Sequence, residues 1–246
     1  MAHCSMEFSS EALQMVTSLK VILPEDTDPK KARVLYLLHG LFDNNSGWVR
    51  YTSIERYVRP YGIAVVIPEV QRSYYTDMVH GPAYFSYVSK ELPRICRKFF
   101  GLGTKKENNY LMGLSMGGYG ALKCAFTYAT HYEAVSVLSS VTDIVSRIEA
   151  ADAAQRAEYQ AIFGMNLAVK KRDDLLLLLK ETDPASFPRL FMYCGEEDEL
   201  YTQNTAFYKN AKRRGMNVTF SHWKGAHDWN FWDEAACRAV KEMFGG

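Results

Sequence analysis

The chain of 246 residues is short enough for one hydrophobic core to organise, so we expect a single domain over residues 1–246. Its 29 Lys and Arg residues balance 28 Asp and Glu residues, and the net charge of +1 provides no field that would attract nucleic acid or anionic lipid. A composition of 48% hydrophobic and 23% charged residues excludes a disordered chain, although 16 Tyr, 13 Phe and 4 Trp exceed what packing usually requires.

The predicted elements alternate between strands and helices. Apolar or alternating runs predict strands, in chain order, at Val16–Leu23, Val34–Leu38, Ile63–Ile67, Tyr110–Met112, Ala134–Leu138, Leu190–Cys194 and Val218–Ser221. Helical patterns occupy Phe85–Phe100, Met116–Tyr128, Thr202–Arg214 and Asn230–Phe244. The first strand alternates loosely and is expected at an antiparallel edge, whereas continuous apolar runs are typical of strands buried on both faces. The pattern predicts an α/β fold with a mostly parallel twisted sheet covered by helices on both faces.

The segment from about Thr142 to Pro188 interrupts this alternation, because it is much longer than one crossover helix requires. Its helical but irregular content predicts an insertion within the single domain. In a doubly wound sheet, such an insertion lies above the carboxyl ends of the strands, where ligands bind. We therefore expect a helical cap over a site, with an elaborated crossover that touches no ligand as the alternative.

The sequence Gly113-Leu114-Ser115-Met116-Gly117 matches the G-x-S-x-G pattern. An apolar strand precedes it and a glycine-rich helix start follows it, which is the context in which this pattern holds a nucleophilic serine on a sharp turn. The helix that begins at Met116 also directs free N–H groups toward negative charge developing beside Ser115. These features favour Ser115 as a nucleophile over a purely structural tight turn.

A nucleophilic serine needs a histidine base, and in this order of elements the base comes late in the chain. His227 lies in the short loop 224–229 between the last predicted strand and the last helix, where its side chain can reach back over the sheet. The other five histidines lie in a terminal tail, in loops without a third partner or at strand ends: His3, His39, His80, His131 and His222. We predict His227 as the base.

The third member of such a triad is a carboxylate that holds the imidazole in one tautomer. Four acids follow the strand that ends at Cys194, at positions 196–199. Asp198 is predicted, since a short side chain on a turn three residues beyond Gly195 is the usual placement, and Glu197 is the alternative. The alternative interpretation is that the four acids form a solvated turn in which only one of them has a functional role.

The same chemistry requires two N–H donors for the developing oxyanion. The amide of Met116, directly after Ser115, is one candidate. The second should come from the loop after the strand Val34–Leu38, which makes the amide of Leu41 the candidate. His39, in the same loop, is expected to hydrogen-bond the loop backbone.

The cellular compartment is predicted from what the sequence lacks. Residues 1–8 carry neither a basic region nor an apolar core of a secretory signal, and no apolar run, Leu175–Leu179 included, approaches the ~20 residues of a membrane span. The five cysteines are odd in number, scattered and free of C-x-x-C spacing, which indicates reduced thiols. We expect a cytoplasmic protein without a membrane association; a secreted form whose leader has been removed is the alternative.

Four motifs together resemble the esterase D branch of the α/β-hydrolases. They are His39-Gly40-Leu41, Gly113 to Ala121, Gly195-Glu196-Glu197-Asp198 and Gly225-Ala226-His227-Asp228-Trp229. The resemblance extends from about Met6 to Phe244 and is strongest to the compact bacterial tributyrin, acetyl and feruloyl (cinnamoyl) esterases. It implies an α/β-hydrolase fold and a serine carboxylesterase that acts on a small-molecule ester without metal or cofactor, through Ser115, Asp198 and His227.

Other members of this branch remain alternatives. S-formylglutathione hydrolases commonly continue the His-Gly-Leu motif with Thr-Cys, whereas Phe42-Asp43 follows here, which counts against that activity. Exported mycolyltransferases are more distant relatives, and an acyltransferase could use the same serine with an alcohol acceptor. A catalytically silent binding module would need a broken triad. The sequence leaves the oligomeric state open, a homo-oligomer included.

Part of the aromatic surplus falls in the loops predicted to surround the site. Four aromatic residues are predicted to bind substrate: Trp48, Tyr74, Phe163 and Trp229. Because flat rings stack on aromatic walls, at about 0.5–1.5 kcal/mol per pair, this placement favours phenolic or hydroxycinnamoyl esters beside short acyl esters.

Overall fold

The computed structural model describes residues 1–245, which form one eight-stranded sheet with helices on both faces. The strands are β1 (Ala2–Ser10), β2 (Met15–Leu23), β3 (Arg33–Leu38), β4 (Ile63–Pro68), β5 (Asn109–Leu114), β6 (Ala134–Leu138), β7 (Arg189–Gly195) and β8 (Val218–Trp223). The α-helices are α1 (Gly47–Tyr51), α2 (Ile54–Val58), α3 (Tyr84–Ser86), α4 (Leu92–Phe100), α5 (Met116–Thr127), α6 (Ile144–Glu149), α7 (Ala153–Phe163), α8 (Leu175–Glu181), α9 (Tyr201–Arg213) and α10 (Trp229–Phe244).

The strand order is β1-β2-β4-β3-β5-β6-β7-β8, and β3 to β8 run parallel to one another. Every residue of β4, β5 and β6 is buried, as expected for apolar strands covered on both faces. On one face α4 and α5 cover a core that includes Val34 and Tyr36. On the other face α2 and α10 cover Leu35 and Leu37. The predicted α/β architecture is confirmed.

The prediction that Val16–Leu23 is the edge strand was wrong. This segment is β2, which pairs with β4 on one side and with the unpredicted strand β1 on the other. In β1 the exposed and half-buried positions alternate, and its inward side chains include Cys4 and Met6. Such a weak apolar pattern does not predict a strand. The β1 strand is stabilised by its antiparallel pairing with β2 over nine residues.

The helix predicted over Phe85–Phe100 consists of three consecutive segments: α3, a π-helical turn at Tyr87–Glu91, and α4. Pro93 lies at the start of α4, where its missing N–H removes a helical hydrogen bond. The wider π turn thus directly precedes the position where regular hydrogen bonding is interrupted.

The insertion between β6 and β7 contains α6, α7 and α8, each of which begins with an aspartate cap. The side chains of Asp143, Asp152 and Asp174 accept hydrogen bonds from backbone N–H groups of the first turn. Helix α7 buries Tyr159, Ile162 and Phe163 against the domain. The function of this insertion as a cap stays a prediction. Within residues 1–245, no helix is long and apolar enough to cross a bilayer.

Candidate active site

Ser115 lies on a strained turn between β5 and α5. Its backbone has φ +52° and ψ −117°, a conformation that non-glycine residues rarely adopt. The Ser115 N–H donates to the Leu138 carbonyl at 2.9 Å, and the Ser115 carbonyl accepts from Tyr119 and Val141 at 3.2 Å each. These bonds to β6 and α5 hold the turn, so that the strain is maintained by the surrounding structure.

The glycines at positions 113 and 117 are required by close backbone contact. A Cβ atom on Gly113 would overlap the Gly117 carbonyl, and one on Gly117 would overlap the Leu38 carbonyl. The first contact brings the end of β5 against the start of α5. The second brings α5 against the end of β3. Glycine at both positions therefore allows the turn that presents Ser115.

The structure brings the three side chains predicted as a triad into one hydrogen-bonded chain. Nε2 of His227 lies 3.0 Å from Oγ of Ser115, and Nδ1 lies 2.9 Å from Oδ2 of Asp198. Because the ionised Asp198 carboxylate can only accept a hydrogen bond, the proton of the neutral imidazole is on Nδ1. Nε2 is then free to accept a hydrogen bond from the serine hydroxyl. This is the arrangement in which a histidine can act as general base toward a hydroxyl.

Two adjacent loops bring Asp198 and His227 together. The Glu197 N–H donates to the Gly225 carbonyl at 2.9 Å, and the Glu196 N–H donates to the Trp223 carbonyl at 3.0 Å. Asp198 is buried, whereas the alternative acid, Glu197, is exposed to solvent. The geometry thus favours Asp198 over Glu197.

Asp198 is held ionised by its hydrogen bonds. Burial alone would raise its pKa, but the hydrogen bond and charge of His227 outweigh this effect, together with bonds from Ser139 and from the Leu200 N–H at 2.8 Å. The net result is an Asp198 pKa below its ordinary value. The carboxylate is therefore available to orient the imidazole and stabilise its protonated form at neutral pH.

Ser139 and Trp232 support this acid, and neither is among the residues predicted for the site. The indole Nε1 of Trp232 donates to Oγ of Ser139 at 3.1 Å, and its ring meets the His227 imidazole edge-on at 4.9 Å. Ser139 has φ +46° and its N–H donates to the Tyr193 carbonyl. Its place directly after β6, beside the strands that carry the other site residues, is the signal that could have indicated it.

The amide of Met116 directly follows Ser115, and the loop that carries Leu41 passes close to the serine. A Cβ on Gly40 would be 3.7 Å from Cβ of Ser115 and 2.6 Å from Leu114, so the loop passes directly over the serine. Neither amide donates a hydrogen bond to an acceptor within residues 1–245. Two adjacent unpaired N–H groups could bind the oxygen of a tetrahedral intermediate.

His39 organises this loop, as expected. Its Nδ1 contacts the Gly40 carbonyl at 2.8 Å, and its Nε2 accepts from the Val70 N–H at 3.2 Å. The Tyr75 hydroxyl donates to the His39 carbonyl at 3.0 Å. A fully buried imidazole thus joins the loop after β3 to the segment after β4.

Arg72 connects the loop after β3 to the insertion. Its Nη1 donates to the Leu41 carbonyl at 3.3 Å, and its Nη2 donates to Glu158 of α7 at 2.9 Å. The guanidinium also lies 5.1 Å from the ring centroid of Phe42, a side chain that is 91% exposed. No sequence motif marks Arg72; only the fold brings α7 beside it.

Contact of Trp48 with substrate stays a prediction, and its side chain is fully buried in this structure. Its indole donates to the Leu38 carbonyl at 3.3 Å and meets Trp229 edge-on at 5.4 Å. Trp229 itself is partly exposed directly after the His227 loop. Trp48 therefore supports Trp229 from beneath.

Tyr74 and Phe163 are also almost completely buried. The Tyr74 hydroxyl lies 3.1 Å from the Tyr159 hydroxyl, and Phe163 packs beside Tyr159 on α7. These rings join the insertion to the loop after β4. Contact of either ring with substrate stays a prediction and would require the insertion to move.

A buried ion pair fixes the insertion to the helix that carries Ser115 at its start. Nζ of Lys123 on α5 pairs with Asp173, and both side chains are almost fully enclosed. Lys123 also donates to the Tyr75 carbonyl at 3.1 Å and to Oγ1 of Thr76 at 3.0 Å. Burial lowers the pKa of Lys123, and the charge of Asp173 partly offsets this effect.

The parallel sheet, the strained Ser115 turn and the hydrogen-bonded Ser-His-Asp arrangement define an α/β-hydrolase of the serine hydrolase class. The chain belongs to the Esterase family, whose model matches residues 10–243, and within it to the esterase D branch of carboxylic ester hydrolases. Its fold class is thereby confirmed.

Three relatives cover nearly the whole chain. The acetyl esterase of Caldicellulosiruptor saccharolyticus is 29% identical over 99% of this chain and 98% of its own. The fluorophosphonate-binding serine hydrolase F of Staphylococcus aureus, solved with substrate bound, is 32% identical with a TM-score of 0.90 over 99% and 98% of the two chains. The S-formylglutathione hydrolase FrmB of the same organism is 34% identical with a TM-score of 0.88, over the same shares.

Proposed function

We propose that the protein is a serine carboxylesterase that hydrolyses short-chain acyl or hydroxycinnamoyl esters through an acyl-enzyme on Ser115. The observation that carries this proposal is the hydrogen-bonded chain from Ser115 through His227 to Asp198, with distances of 3.0 and 2.9 Å. Geometry of this kind makes a serine hydroxyl nucleophilic at neutral pH.

In the first half of the reaction, Nε2 of His227 takes the proton of Ser115 as Oγ bonds to the ester carbonyl carbon. The amides of Leu41 and Met116 donate to the resulting oxyanion. The bond between the acyl carbon and the alcohol oxygen then breaks, and the alcohol leaves with the proton from His227. Asp198 stabilises the imidazolium that forms in between.

In the second half, His227 takes a proton from water as the water oxygen attacks the acyl carbon. The second tetrahedral intermediate collapses, the Ser115 oxygen leaves with the proton held by His227, and the carboxylic acid departs. An acyltransferase would differ only in that an alcohol replaces water in this step. Product partition with added alcohol distinguishes the two outcomes.

The burial of Trp48, Tyr74 and Phe163 favours a small acyl group. Of the four aromatics predicted to bind substrate, Trp229 alone is partly exposed, beside Tyr51 with ring centroids 5.2 Å apart. The similarity to an acetyl esterase over nearly the full length supports the same preference. Hydroxycinnamoyl esters would have to stack on the Trp229 and Tyr51 rings.

A glutathione thioesterase is the second candidate. The 34% identity to S-formylglutathione hydrolase FrmB over 99% of the chain supports it, although Phe42-Asp43 replaces the Thr-Cys pair expected after the His-Gly-Leu motif. The same serine, base and oxyanion donors would cleave a thioester. Leaving-group recognition would then decide between the two activities.

The test compares kcat/KM of the wild type on p-nitrophenyl acetate, p-nitrophenyl octanoate, methyl ferulate and S-formylglutathione. We expect the acetyl ester to be cleaved faster than the octanoyl ester, and Ser115→Ala to abolish turnover of all four. Near-normal activity of Ser115→Ala would refute the mechanism. A kcat/KM for S-formylglutathione far above those of the esters would favour the second candidate. The cytoplasmic location stays a prediction.

A further inference from the structure

A second cleft lies near the amino-terminal end of β5, whereas Ser115 follows the carboxyl end of the same strand. It has a volume of about 400 Å³, between α4 and the segment that follows α5, with Asn109 and Tyr36 among its lining residues. Asn109 begins β5 and Ser115 directly follows the end of this strand. At about 3.3 Å per residue, Asn109 is roughly 20 Å from the serine, and Tyr36, which pairs with Leu111, is roughly 13 Å from it. The cleft is therefore separate from the ester site.

Two buried tyrosines form the floor of this cleft. Tyr36 is 3% exposed and Tyr132 is 4% exposed, and both line the cavity. No hydrogen bond within residues 1–245 engages either hydroxyl, and neither is among the fully enclosed polar atoms without a partner, so both hydroxyls can reach a ligand in the cleft. Burial raises the pKa of both tyrosines, so each stays protonated and can donate. The floor thus presents two unused donors.

The rim of the cleft is positively charged. Three basic residues line it from the π-helical turn and α4: Lys90, Arg94 and Arg97. Their spacings of four and three residues place them on one side of the helix. Arg94 pairs with Glu11 at 2.8 Å and with Glu91 at 3.7 Å, but no carboxylate of residues 1–245 forms an ion pair with Lys90 or Arg97. The residues that line the cleft include no Asp or Glu. The cleft is therefore suited to an anion.

One wall of the cleft is formed by stacked rings. His131 lies parallel to Tyr128, with centroids 5.2 Å apart and an interplanar angle of 9°, and Tyr128 in turn stacks on Phe85. Since Phe85 backs Tyr128, the pair presents a supported flat surface, with His131 outermost and exposed. A planar ligand can pack against such a surface.

We propose that this cleft is a second, non-catalytic binding site for a small planar organic anion. The anionic group is bound by Lys90 and Arg97 with hydrogen bonds from Tyr36 and Tyr132, and the ring lies against His131. A volume of 400 Å³ is within the range of small-molecule sites and suits one aromatic acid or one mononucleotide. A carboxylate and a phosphate share the required chemistry, so both are used as probes.

The test measures binding of ferulate and of adenosine monophosphate to Ser115→Ala by isothermal titration calorimetry, with inorganic phosphate as the ring-free probe. We expect at least one ring-bearing probe to bind with a submillimolar Kd and more tightly than phosphate. Combining Ser115→Ala with Arg97→Glu should raise that Kd by at least about tenfold, the loss of one charge-assisted contact. Combining Ser115→Ala with Tyr36→Phe should raise the same Kd severalfold.

Lys98→Glu is the matched control, because it makes the same charge change on the same helix at an exposed position that does not line the cleft. It should leave the Kd within about twofold. Absence of binding up to about 10 mM, or equal effects of Arg97→Glu and Lys98→Glu, would overturn the proposal. Binding unchanged by Arg97→Glu would place the probe elsewhere, the ester site included, and would also overturn it.

Esterase turnover provides a readout that is independent of this binding. On the wild-type background, Arg97→Glu should leave kcat/KM for p-nitrophenyl acetate unchanged, because Arg97 lies far from Ser115. Loss of probe binding together with retained turnover supports a separate site. Failure of the proposed esterase activity would appear in the turnover assay alone and leave the binding measurement on Ser115→Ala unaffected.

Discussion

Replacing Lys123 by Met should destabilise the protein strongly. The Lys123 side chain is 0% exposed and that of Asp173 is 3% exposed, so the substitution leaves a carboxylate buried without its cation. Breaking one side of a buried ion pair costs about 3–5 kcal/mol. Lys123 also loses its hydrogen bonds to Tyr75 and Thr76, while Met preserves most of its volume. The expected loss is a large part of a typical total stability of about 5–15 kcal/mol.

The free energy of unfolding should be measured by urea denaturation followed by circular dichroism, with m-values compared between variants. The double variant Lys123→Met, Asp173→Asn should recover part of the loss, because it removes the unpaired charge. Lys171→Met is the matched control: Lys171 pairs with Glu181 at 2.7 Å, but both side chains are largely exposed. That change should cost less than about 1 kcal/mol.

Equal losses in Lys123→Met and Lys171→Met would refute the reasoning, since burial would then add nothing to the strength of the pair. A double variant that is less stable than the sum of its single changes would contradict the unpaired-charge explanation as well. The urea transition and m-value of each variant show whether it folds, so both results are distinguishable from a failure to fold.

Three further predictions concern the acid and the thiols. Asp198→Asn should lower kcat by about 10⁴-fold, whereas Glu197→Gln should stay near the wild type; the reverse result would assign the acid to Glu197. Because the folded pKa of Asp198 lies below its ordinary value, its stabilisation is present above the unfolded value of about 3.9 and lost as pH falls through the lower folded pKa. The difference in unfolding free energy between wild type and Asp198→Asn should therefore shrink below about pH 4, and a pH-independent difference would contradict this. Burial raises the pKa of Cys96 and Cys124 to about 12, so a thiol reagent should modify only the partly exposed Cys4 and Cys237 before unfolding; rapid modification of all five thiols in the native protein would refute it.

Much of the architecture could be read from local patterns. Continuous apolar runs such as Ile63–Ile67 correspond to strands buried on both faces, and their burial depends on composition more than on any distant partner. The Ser115 turn is partly local, because Gly113 is required by contact with the Gly117 carbonyl within the turn, whereas Gly117 is required by contact with Leu38 at the end of β3. The structure places the predicted Ser115, His227 and Asp198 side chains in one hydrogen-bonded chain.

The errors arose where position depends on tertiary packing. The β1 strand has too weak an apolar pattern to be recognised, and it is ordered by pairing with β2. An indole near a site can contact a ligand or support a neighbouring ring, and the sequence does not show that Trp48 is fully buried and packs edge-on against Trp229. Ser139 became part of the acid's environment because Trp232 reaches it from α10, 93 residues away.

The sequence by itself determined the α/β fold, the Ser115 turn and the order of the serine, acid and histidine, because each follows from patterns confined to a few neighbouring residues. Tertiary structure alone decided which charges are paired. Arg72 meets Glu158 across 86 residues, and Lys123 meets Asp173 in the interior. The energy of such pairs depends on distance and burial, which no local sequence pattern contains.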